Sequence, residues 1–352
     1  MLGLAFKYSY LNAKVRTIYS QRLKESDWRV LSHFGDQVSF VQYLKTTYYS
    51  RWINTIFQDA KRGSETFERQ IYSSLFNDYL KIARNLKPAP KRLLMSMLSR
   101  YEAENIKTLL RAKKGGLSQK AVWHLLYPVE SFSRINWEEL WKSKDVKETM
   151  EKLLDTCFGP ALAHALPQFE AQARLFPVEM ALEIQSYRCI LDALLAISCK
   201  KDRQMAKNLI GAFVDTKNVC HVARLRFLYR LSTEESLNYT YPGGLMLNLK
   251  RLHNVCRATS LQEFIDSLPV QLKEELHETQ DLLGLKISME QWLLKRLKKA
   301  FLGLPFHIGV EIAWLFYKEL EIEAVIRLFG TKGTKHRIEI QKLIPKALLK
   351  EE

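Results

Sequence analysis

The chain has 352 residues, of which 47% are hydrophobic and 26% are charged. This composition is typical of a packed globular protein and excludes disorder as the global state. Glycine and proline are scarce, at 14 and 10 residues, which disfavours sandwiches, barrels and collagen-like rods, because those folds need many turn residues. The length alone predicts two or three domains.

The net charge of +16 is unevenly distributed along the chain. Residues 1–127 carry 22 basic and 9 acidic side chains, whereas residues 128–352 carry 32 and 29. The densest basic stretch, Lys81–Lys120, holds eleven Lys and Arg residues against two Glu. A strongly basic chain suggests an anionic partner, such as nucleic acid, an anionic membrane surface or an acidic protein.

Several classes of site lack their sequence signals. The cysteines are odd in number and never form a C-x-x-C pair, which indicates a reducing compartment, no disulfide framework and no structural zinc. They are Cys157, Cys189, Cys199, Cys220 and Cys256. No glycine-rich phosphate loop and no H-E-x-x-H motif occurs, so we predict no cofactor and no metal. Polar residues follow too early after the first apolar residues for the N-terminal stretch to be a signal peptide. The most apolar window, Phe301–Phe316, contains His307 and Glu311, which predicts a soluble or peripheral protein.

The apolar residues recur with helical spacing along most of the chain, and alternating β-branched runs are lacking. The predicted helices are Trp28–Tyr49, Phe67–Leu86, Lys91–Lys113, Thr149–Cys157, Pro177–Cys199, Gln204–Tyr229, Leu245–Val255, Leu261–Leu268, Val270–Leu283, Met289–Leu302, Phe306–Phe329 and Ile338–Ile344. Pro or Gly breaks separate many of them. The sequence therefore predicts an all-α protein of about ten or more helices.

An internal repeat connects three of these helices. Each begins near a glutamate, and the three glutamates, Glu68, Glu179 and Glu290, are 111 residues apart. An acid follows 31–36 residues later in a second helix, at Glu102, Asp215 and Glu321. We therefore predict three related helical modules of about 110 residues, with boundaries at 1–127, 128–244 and 245–352.

The flanks of the second acid also match in the first two copies. An Asn lies three residues after it and an Arg six residues further on, giving Asn105 and Asn218, then Arg111 and Arg224. The third copy has diverged, with Ala324 and Gly330 at these places. Residues i and i+3 share a helix face, so the favoured interpretation is a buried polar clamp that orients paired helices. The two arginines either pair with acids on adjoining helices or contact a partner.

A metal or catalytic carboxylate pair is the alternative for these acids. Helical di-metal sites use two Glu-x-x-His companions. One such spacing occurs, at Glu274 and His277, and it lies outside the repeated positions. The metal interpretation is therefore disfavoured.

Over almost its whole length the chain resembles the C subunit of the V/A-type ATPases, the counterpart of the eukaryotic vacuolar ATPase d subunit. The resemblance is carried by YSYLNAKVRT (Tyr8–Thr17), RYEAENIKTLLRAKKGG (Arg100–Gly116), VEMALEIQSY (Val178–Tyr187), DTKNVCHVARLR (Asp215–Arg226) and YKELEIEAVIRLFGTKG (Tyr317–Gly333). The family pattern has Asn where this chain has Ala324.

The resemblance implies a fold and a role. The three modules would surround a pseudo-threefold axis in a funnel-like shape. The implied role is that of a non-catalytic socket, one copy per rotor, peripheral on the cytoplasmic face of the membrane. It would couple the central shaft subunits D and F to the proteolipid ring and transmit torque during ion translocation.

Two other classes of function remain alternatives. The first is a basic helical nucleic-acid-binding protein, based on the net charge and Lys81–Lys120, whose binding would weaken steeply with salt. The second is an enzyme with an unrecognised site at Glu319, Glu321 and Glu323. Glu323 can instead pair with Arg327 at i, i+4, and we expect the other two acids to be solvated.

The basic residues of the first third provide candidate partner contacts. Lys113 and Lys114 stand beside the Gly115-Gly116 break. We predict that they face an acidic partner or phospholipid headgroups near the ring.

Overall fold

The computed structural model describes residues 2–53, 60–276, 279–303, 306–333 and 343–349. Within these residues every regular element is helical and no β-strand occurs, which confirms the all-α prediction. The α-helices are α1 (Leu2–Ser20), α2 (Glu25–His33), α3 (Gln37–Leu44), α4 (Ala60–Ala83), α5 (Pro88–Met97), α6 (Ser99–Lys114), α7 (Gln119–Val122), α8 (Trp137–Trp141), α9 (Val146–Glu151), α10 (Gly159–Gln172), α11 (Leu175–Leu195), α12 (Lys200–Ala223), α13 (Thr233–Asn238), α14 (Leu249–Cys256), α15 (Leu261–Ser267), α16 (Val270–Lys273), α17 (Leu282–Leu302), α18 (Gly309–Gly330) and α19 (Lys346–Leu349). Two 3₁₀ turns, Tyr48–Arg51 and Trp123–Leu125, and a π-helical turn, Arg224–Leu228, accompany them.

Some predicted helices are divided in the structure. The single helix predicted over Trp28–Tyr49 is wrong, because the chain turns between α2 and α3. There the Asp36 side chain caps α3 by accepting a hydrogen bond from the Ser39 N–H at 2.8 Å. The helix predicted over Lys91–Lys113 is likewise two helices that meet at Leu98. Apolar periodicity continues across both breaks, so it does not reveal them.

Other differences concern helices that the apolar periodicity did not predict or predicted to be too long. Helices α1 and α10 were not predicted, and α10 contains Pro167 in its interior, a residue that ordinarily interrupts a helix. The helix predicted over Val270–Leu283 is only the short α16, and the next helix starts at Leu282 behind its Asp281 cap. Of the predicted helix Ile338–Ile344, residues 338–342 lie outside the described residues.

The chain forms two compact units. The continuous unit is Asp59–Ile197, and the discontinuous unit combines Met1–Gln58 with Ser198–Glu352. The three-part division at 127 and 244 is a division of the sequence into repeats, and it stays a prediction.

In the continuous unit, helix α11 packs against α5, α6 and α10. One apolar core joins α6, the short helices that follow it, and the first turns of α11. Burial of these side chains stabilises the unit by about 25 cal/mol for each Å² of apolar surface removed from water. The core is built from Ala103, Ile106, Leu109, Leu110, Leu140, Val146, Met150, Leu153, Phe158, Leu162, Ala165, Leu175, Val178 and Leu182.

In the discontinuous unit, helix α18 lies at the centre and is buried along most of its length. Its apolar residues are distributed around the whole circumference of the helix, as expected of a helix at the centre of a unit. Helices α12, α17 and α1 pack against it. The N-terminal segment is tied to this centre: the Tyr8 hydroxyl donates to Asp202 at 2.7 Å, and the Tyr19 ring stacks on Phe301 with centroids 4.2 Å apart.

Candidate functional site: buried polar clamps and charge clusters

Asn105 on α6 clamps the backbone of Tyr127. Its Nδ2 donates to the Tyr127 carbonyl at 2.9 Å, and its Oδ1 accepts from the Tyr127 N–H at 2.8 Å. Asn105 is buried, at 2% exposure. Tyr127 precedes Pro128, and a residue before proline is kept out of helical geometry. The Tyr127 N–H therefore needs an acceptor outside a helix, and the Tyr127 carbonyl, which also accepts from the Val129 N–H at 2.9 Å, gains a second donor. One primary amide supplies both the donor and the acceptor.

Asn218 on α12 makes the same contact with Tyr241, the residue before Pro242. Nδ2 donates to the Tyr241 carbonyl at 2.9 Å, and Oδ1 accepts from the Tyr241 N–H at 2.8 Å. Asn218 has no exposed surface. The His221 ring stacks on the Tyr241 ring with centroids 4.9 Å apart. The two Asn residues thus share their location on a helix, their burial, their partner dipeptide and their hydrogen-bond geometry.

The acids three residues before these Asn residues also bind the chain downstream. Burial raises the pKa of Glu102 and outweighs the opposite effect of the nearby Ser133 hydroxyl. Asp215 accepts from the N–H groups of Met246 at 2.7 Å and Leu247 at 3.1 Å. Burial raises the pKa of Asp215 to about 6. The chain approaches Asp215 so closely at Gly244 that a Cβ there would collide with its Oδ1, which explains why a glycine stands at this position.

Glu321 binds a different part of the chain. Its carboxylate accepts from the Leu23 N–H at 2.9 Å and from the Tyr49 hydroxyl at 2.7 Å. Lys318, one turn earlier on α18, pairs with it at 3.0 Å, and both side chains are fully buried. The Lys318 ammonium lies 3.7 Å from the centroid of the Tyr49 ring, a cation–π contact that is strengthened by the absence of water.

The repeated glutamates Glu179 and Glu290 each receive two parallel hydrogen bonds from an arginine. Arg111 Nε and Nη2 donate to the two Glu179 oxygens at 2.7 and 2.8 Å. Arg327 Nη1 and Nη2 donate to the two Glu290 oxygens at 2.9 and 2.5 Å. The first pair links α6 to α11 and the second links α18 to α17, so each fixes the rotation of one long helix against another.

Glu68 and Arg224, the remaining glutamate and arginine of the repeated pattern, are placed differently. Glu68 is exposed on α4. Arg224 is exposed at the start of the π-helical turn, and within the described part of the chain it forms no ion pair. Arg111 therefore pairs with an acid on an adjoining helix, whereas Arg224 does not do so among these residues.

The Arg327–Glu290 pair belongs to a cluster of six charges in the discontinuous unit. Lys217 lies 3.2 Å from Glu323, and Lys286 lies 3.0 Å from the same carboxylate. Lys217 also lies 3.9 Å from Glu319. Burial alone would raise the pKa of Glu323, but Lys217, Lys286 and Arg327 outweigh it and hold that pKa well below its usual range. Three cations thus balance three carboxylates.

The expectation that Glu319 and Glu321 are solvated is wrong. Glu319 is 4% exposed and Glu321 is fully buried, because α18 is enclosed on all sides and its acids must find partners inside the unit. Glu323 does lie near Arg327, at 3.8 Å and the expected i, i+4 spacing.

Lys113 and Lys114 are both used within the continuous unit. The Lys113 ammonium donates to the carbonyls of Trp141 and Ser143, each at 2.5 Å. Lys114 is exposed and donates to the Ala173 carbonyl, at the end of α10, at 2.7 Å. Such carbonyls at helix ends are natural partners for lysine. The predicted contact of these lysines with a partner remains a prediction.

The described residues contain neither a candidate metal site nor a candidate membrane-spanning helix. No group of three or more His, Cys, Asp or Glu side chains there could hold a metal ion. The Glu274–His277 spacing cannot be assessed, because His277 lies outside the described residues. No helix in the same part of the chain is long and apolar enough to cross a membrane.

Comparison with known proteins gives one consistent result. Residues 11–341 match the family of the ATP synthase (C/AC39) subunit. The chain belongs to this family. The C subunit of the A-type ATP synthase is 22% identical in Methanocaldococcus jannaschii, over 90% of this chain and 80% of the relative, and 24% identical in Methanothermobacter thermautotrophicus, over 90% and 82%. The relative of the same name in Haloferax volcanii is 22% identical over 90% of both chains.

Sequence reasoning missed the partners of the polar residues in this C/AC39 family member. Neither Tyr127 nor Tyr241 is among the predicted site residues. A signal was present, since each Tyr-Pro dipeptide begins 22 or 23 residues after its Asn. Lys318 was missed because a lone lysine in an apolar helix gives no pattern.

Proposed function

We propose that the protein is a non-catalytic rotor subunit that couples the central shaft of a rotary ATPase to its membrane ring. The observation that carries the proposal is the match to the ATP synthase (C/AC39) subunit family over residues 11–341. The relatives matched over most of the chain are named as the C subunit of A-type ATP synthases. The role is mechanical: the protein would receive the shaft end on one side and hold the ring on the other.

The proposal includes three related modules, at 1–127, 128–244 and 245–352, arranged as a funnel around a pseudo-threefold axis. The matched Asn clamps of the first two modules support it. So do the N-caps of α3, α9 and α15, where Asp36, Asp145 and Ser260 each accept from the N–H three residues on. Shared capping chemistry at three places separated by 109 and 115 residues is expected of diverged copies.

A part that transmits torque must resist bending and twisting. The bidentate pairs Arg111–Glu179 and Arg327–Glu290 fix helix rotation, and the Asn clamps fix the segments that follow α6 and α12. Buried polar contacts of this kind have few alternative arrangements that satisfy every donor and acceptor. They support a stiff body better than an adaptable one.

The proposed partners are the shaft subunits D and F and the proteolipid ring, with one copy of this chain per rotor. It would be peripheral, on the cytoplasmic face, and would need neither a cofactor nor a metal. Its basic first third, Lys113 and Lys114 included, would face an acidic partner or headgroups near the ring. No nucleic acid is expected as a partner.

Affinity purification of the tagged chain from detergent-solubilised membranes of its host tests the proposal. The expected result is recovery of the proteolipid, together with shaft subunits, in fixed ratio. Recovery of nucleic acid in place of these proteins, with binding that weakens steeply as salt increases, would overturn it.

The charged surface needs a separate variant, because reversing Lys113 removes two carbonyl contacts inside the fold. Lys91 and Arg92 are exposed on α5 in the same basic stretch, so K91E with R92E changes the surface without breaking a described contact. We expect this variant to lose ring subunits and to keep its unfolding temperature. Lys250→Glu, at an exposed position of the near-neutral remainder, is the matched control. Equal recovery from both variants would remove the first third from the interface.

A further inference from the structure

Two of the five cysteines lie together in the continuous unit. Cys157 is exposed in the turn that leads into α10, and Cys189 is half-buried on α11. The Cys189 thiol donates a hydrogen bond to the Cys157 carbonyl at 3.7 Å, so one thiol lies against the backbone of the residue that carries the other. Two cysteines can form a disulfide bond when their Cα atoms are less than about 7 Å apart.

The backbone around the two thiols is held in place by Gln185. This residue lies one turn before Cys189 on α11, and it is 8% exposed. Its Nε2 donates to the Cys157 carbonyl at 2.9 Å and approaches the Cys189 sulfur at 3.8 Å. The Cys189 thiol also lies 3.7 Å from the Cys157 carbonyl. One buried amide therefore fastens the turn to the helix at the point where the Cys189 thiol reaches the Cys157 carbonyl.

The turn itself leaves little freedom. Gly159 follows Cys157 by two residues, and a Cβ at this position would collide with the Leu154 carbonyl. The chain must therefore pass close to itself between Leu154 and Gly159, which fixes where Cys157 stands. The juxtaposition of the two thiols is a property of the fold and does not depend on a flexible surface loop.

The two thiols differ in acidity. The neighbouring Cys157 thiol lowers the pKa of Cys189, and the Gln185 amide acts in the same direction, although burial, Asp192 and Glu102 oppose them. The neighbouring Cys189 thiol and burial raise the pKa of Cys157. Since the thiolate is the nucleophile in thiol chemistry, Cys189 is the attacking group and Cys157 the resolving one.

We propose that Cys157 and Cys189 form a thiol–disulfide exchange site for low-molecular-weight disulfides such as oxidised glutathione. The Cys189 thiolate attacks one sulfur of that disulfide, whose S–S bond breaks and releases one thiolate. Cys157, once deprotonated, attacks the Cys189 sulfur and displaces the second thiolate. The cysteines together lose two electrons and two protons. The small disulfide gains both and leaves as two thiols.

Two of the three remaining cysteines, Cys220 and Cys256, serve as internal controls. Burial raises the pKa of Cys220 to about 12 and that of Cys256 to about 11. Both are thiols at neutral pH and react slowly. Selective chemistry at the Cys157–Cys189 pair is therefore distinguishable within one protein.

The test uses the full chain with defined ratios of oxidised and reduced glutathione at neutral pH. The samples are quenched with acid, alkylated and analysed by mass spectrometry. We expect the intact mass to fall by two hydrogen atoms, with no glutathione retained, and a cross-linked peptide pair that contains Cys157 and Cys189. Stable glutathione adducts on the two cysteines separately, or no reaction at either, would overturn the proposal.

Single variants separate the two roles. Cys157→Ser should retain one glutathione on Cys189, because no thiol remains to resolve the mixed disulfide, and Cys189→Ser should lose the reaction at this site. Cys256→Ser should behave as the wild type. Circular dichroism of each variant confirms that it is folded. A Cys157→Ser protein that is folded and takes up no glutathione would refute the assignment of Cys189 as the nucleophile.

Discussion

Asn218 offers a direct test of whether the Asn clamps hold the fold. Asn218→Ala removes the donor to the Tyr241 carbonyl and the acceptor of the Tyr241 N–H, two hydrogen bonds of 2.9 and 2.8 Å at a site without exposed surface. Each backbone group left buried without a partner costs about 1–3 kcal/mol. The expected loss in free energy of unfolding is therefore about 2–6 kcal/mol.

Urea titration followed by circular dichroism measures this loss. Asn208→Ala is the matched control, because Asn208 lies on the same helix and makes one exposed side-chain hydrogen bond, with Gln204 at 2.9 Å. Its expected cost is below about 0.5 kcal/mol. Amide hydrogen exchange at Tyr241 should also become faster in Asn218→Ala, since its N–H loses its acceptor.

Asn218→Asp tests the hydrogen bond that Nδ2 donates to the Tyr241 carbonyl separately from the one that Oδ1 accepts. The aspartate keeps an acceptor for the Tyr241 N–H, but when ionised it places a negative oxygen against the Tyr241 carbonyl. Burial and the neighbouring Asp215 raise its folded pKa above the unfolded value of about 3.9. The protonated carboxyl can donate as the amide does, so stability is present below the unfolded pKa and is lost as the pH rises through the folded pKa.

The expected result is that Asn218→Asp approaches the wild type at low pH and loses at least as much stability as Asn218→Ala at neutral pH. Each comparison is made with the wild type at the same pH. A difference between Asn218→Asp and the wild type that does not change with pH would refute the reasoning. So would a loss below about 1 kcal/mol in Asn218→Ala, because two buried bonds cannot cost so little unless the segment rearranges.

Two other predictions concern the charged residues. Arg327→Met should lower the free energy of unfolding by about 3–5 kcal/mol, because the buried Glu290 carboxylate loses both hydrogen bonds from the guanidinium. Arg111→Met should lower it by only about 1 kcal/mol, because the Arg111 side chain is 57% exposed and water screens its pair with Glu179. Equal losses in urea titration would contradict this. Burial raises the pKa of Asp215 to about 6 from 3.8, so its stabilising contribution is present below the unfolded pKa and is lost as the pH rises through the folded pKa. The free energy of unfolding of the wild type minus that of Asp215→Asn should therefore fall by about 2.4 kcal/mol between pH 4 and pH 7, and a constant difference would disprove it.

The sequence allows the fold class and the positions of the polar residues to be predicted, because both depend on local spacing. Apolar residues at i, i+3 and i+4 indicate helices without any tertiary information. An acid and an Asn at i and i+3 must share a helix face. The regular spacing of Glu179 and Glu290 likewise marks two positions that prove to be buried and paired with arginines.

The partners of these residues could not be predicted, because they depend on which segments the fold brings together. Periodicity does not show that Tyr241 returns to Asn218, or that Arg327 lies on the helix that packs against Glu290. It also fails where a side chain starts a new helix within an apolar pattern, as Asp36 does. In that case one capping hydrogen bond decides the boundary, and its energy is invisible to hydropathy.

Glu321, the acid of the predicted third copy, takes its donors from a different part of the chain than Asp215 does. Asp215 takes its backbone donors from Met246 and Leu247, downstream in the same stretch of chain. Glu321 instead takes donors from Leu23 and Tyr49, almost 300 residues away in sequence. The N-terminal segment therefore satisfies the third acid, and the contact closes the discontinuous unit on itself. Because these contacts join distant parts of the chain, removing the N-terminal segment leaves the buried Glu321 with the Lys318 ammonium as its only donor among the described residues. The discontinuous unit should consequently unfold as a whole.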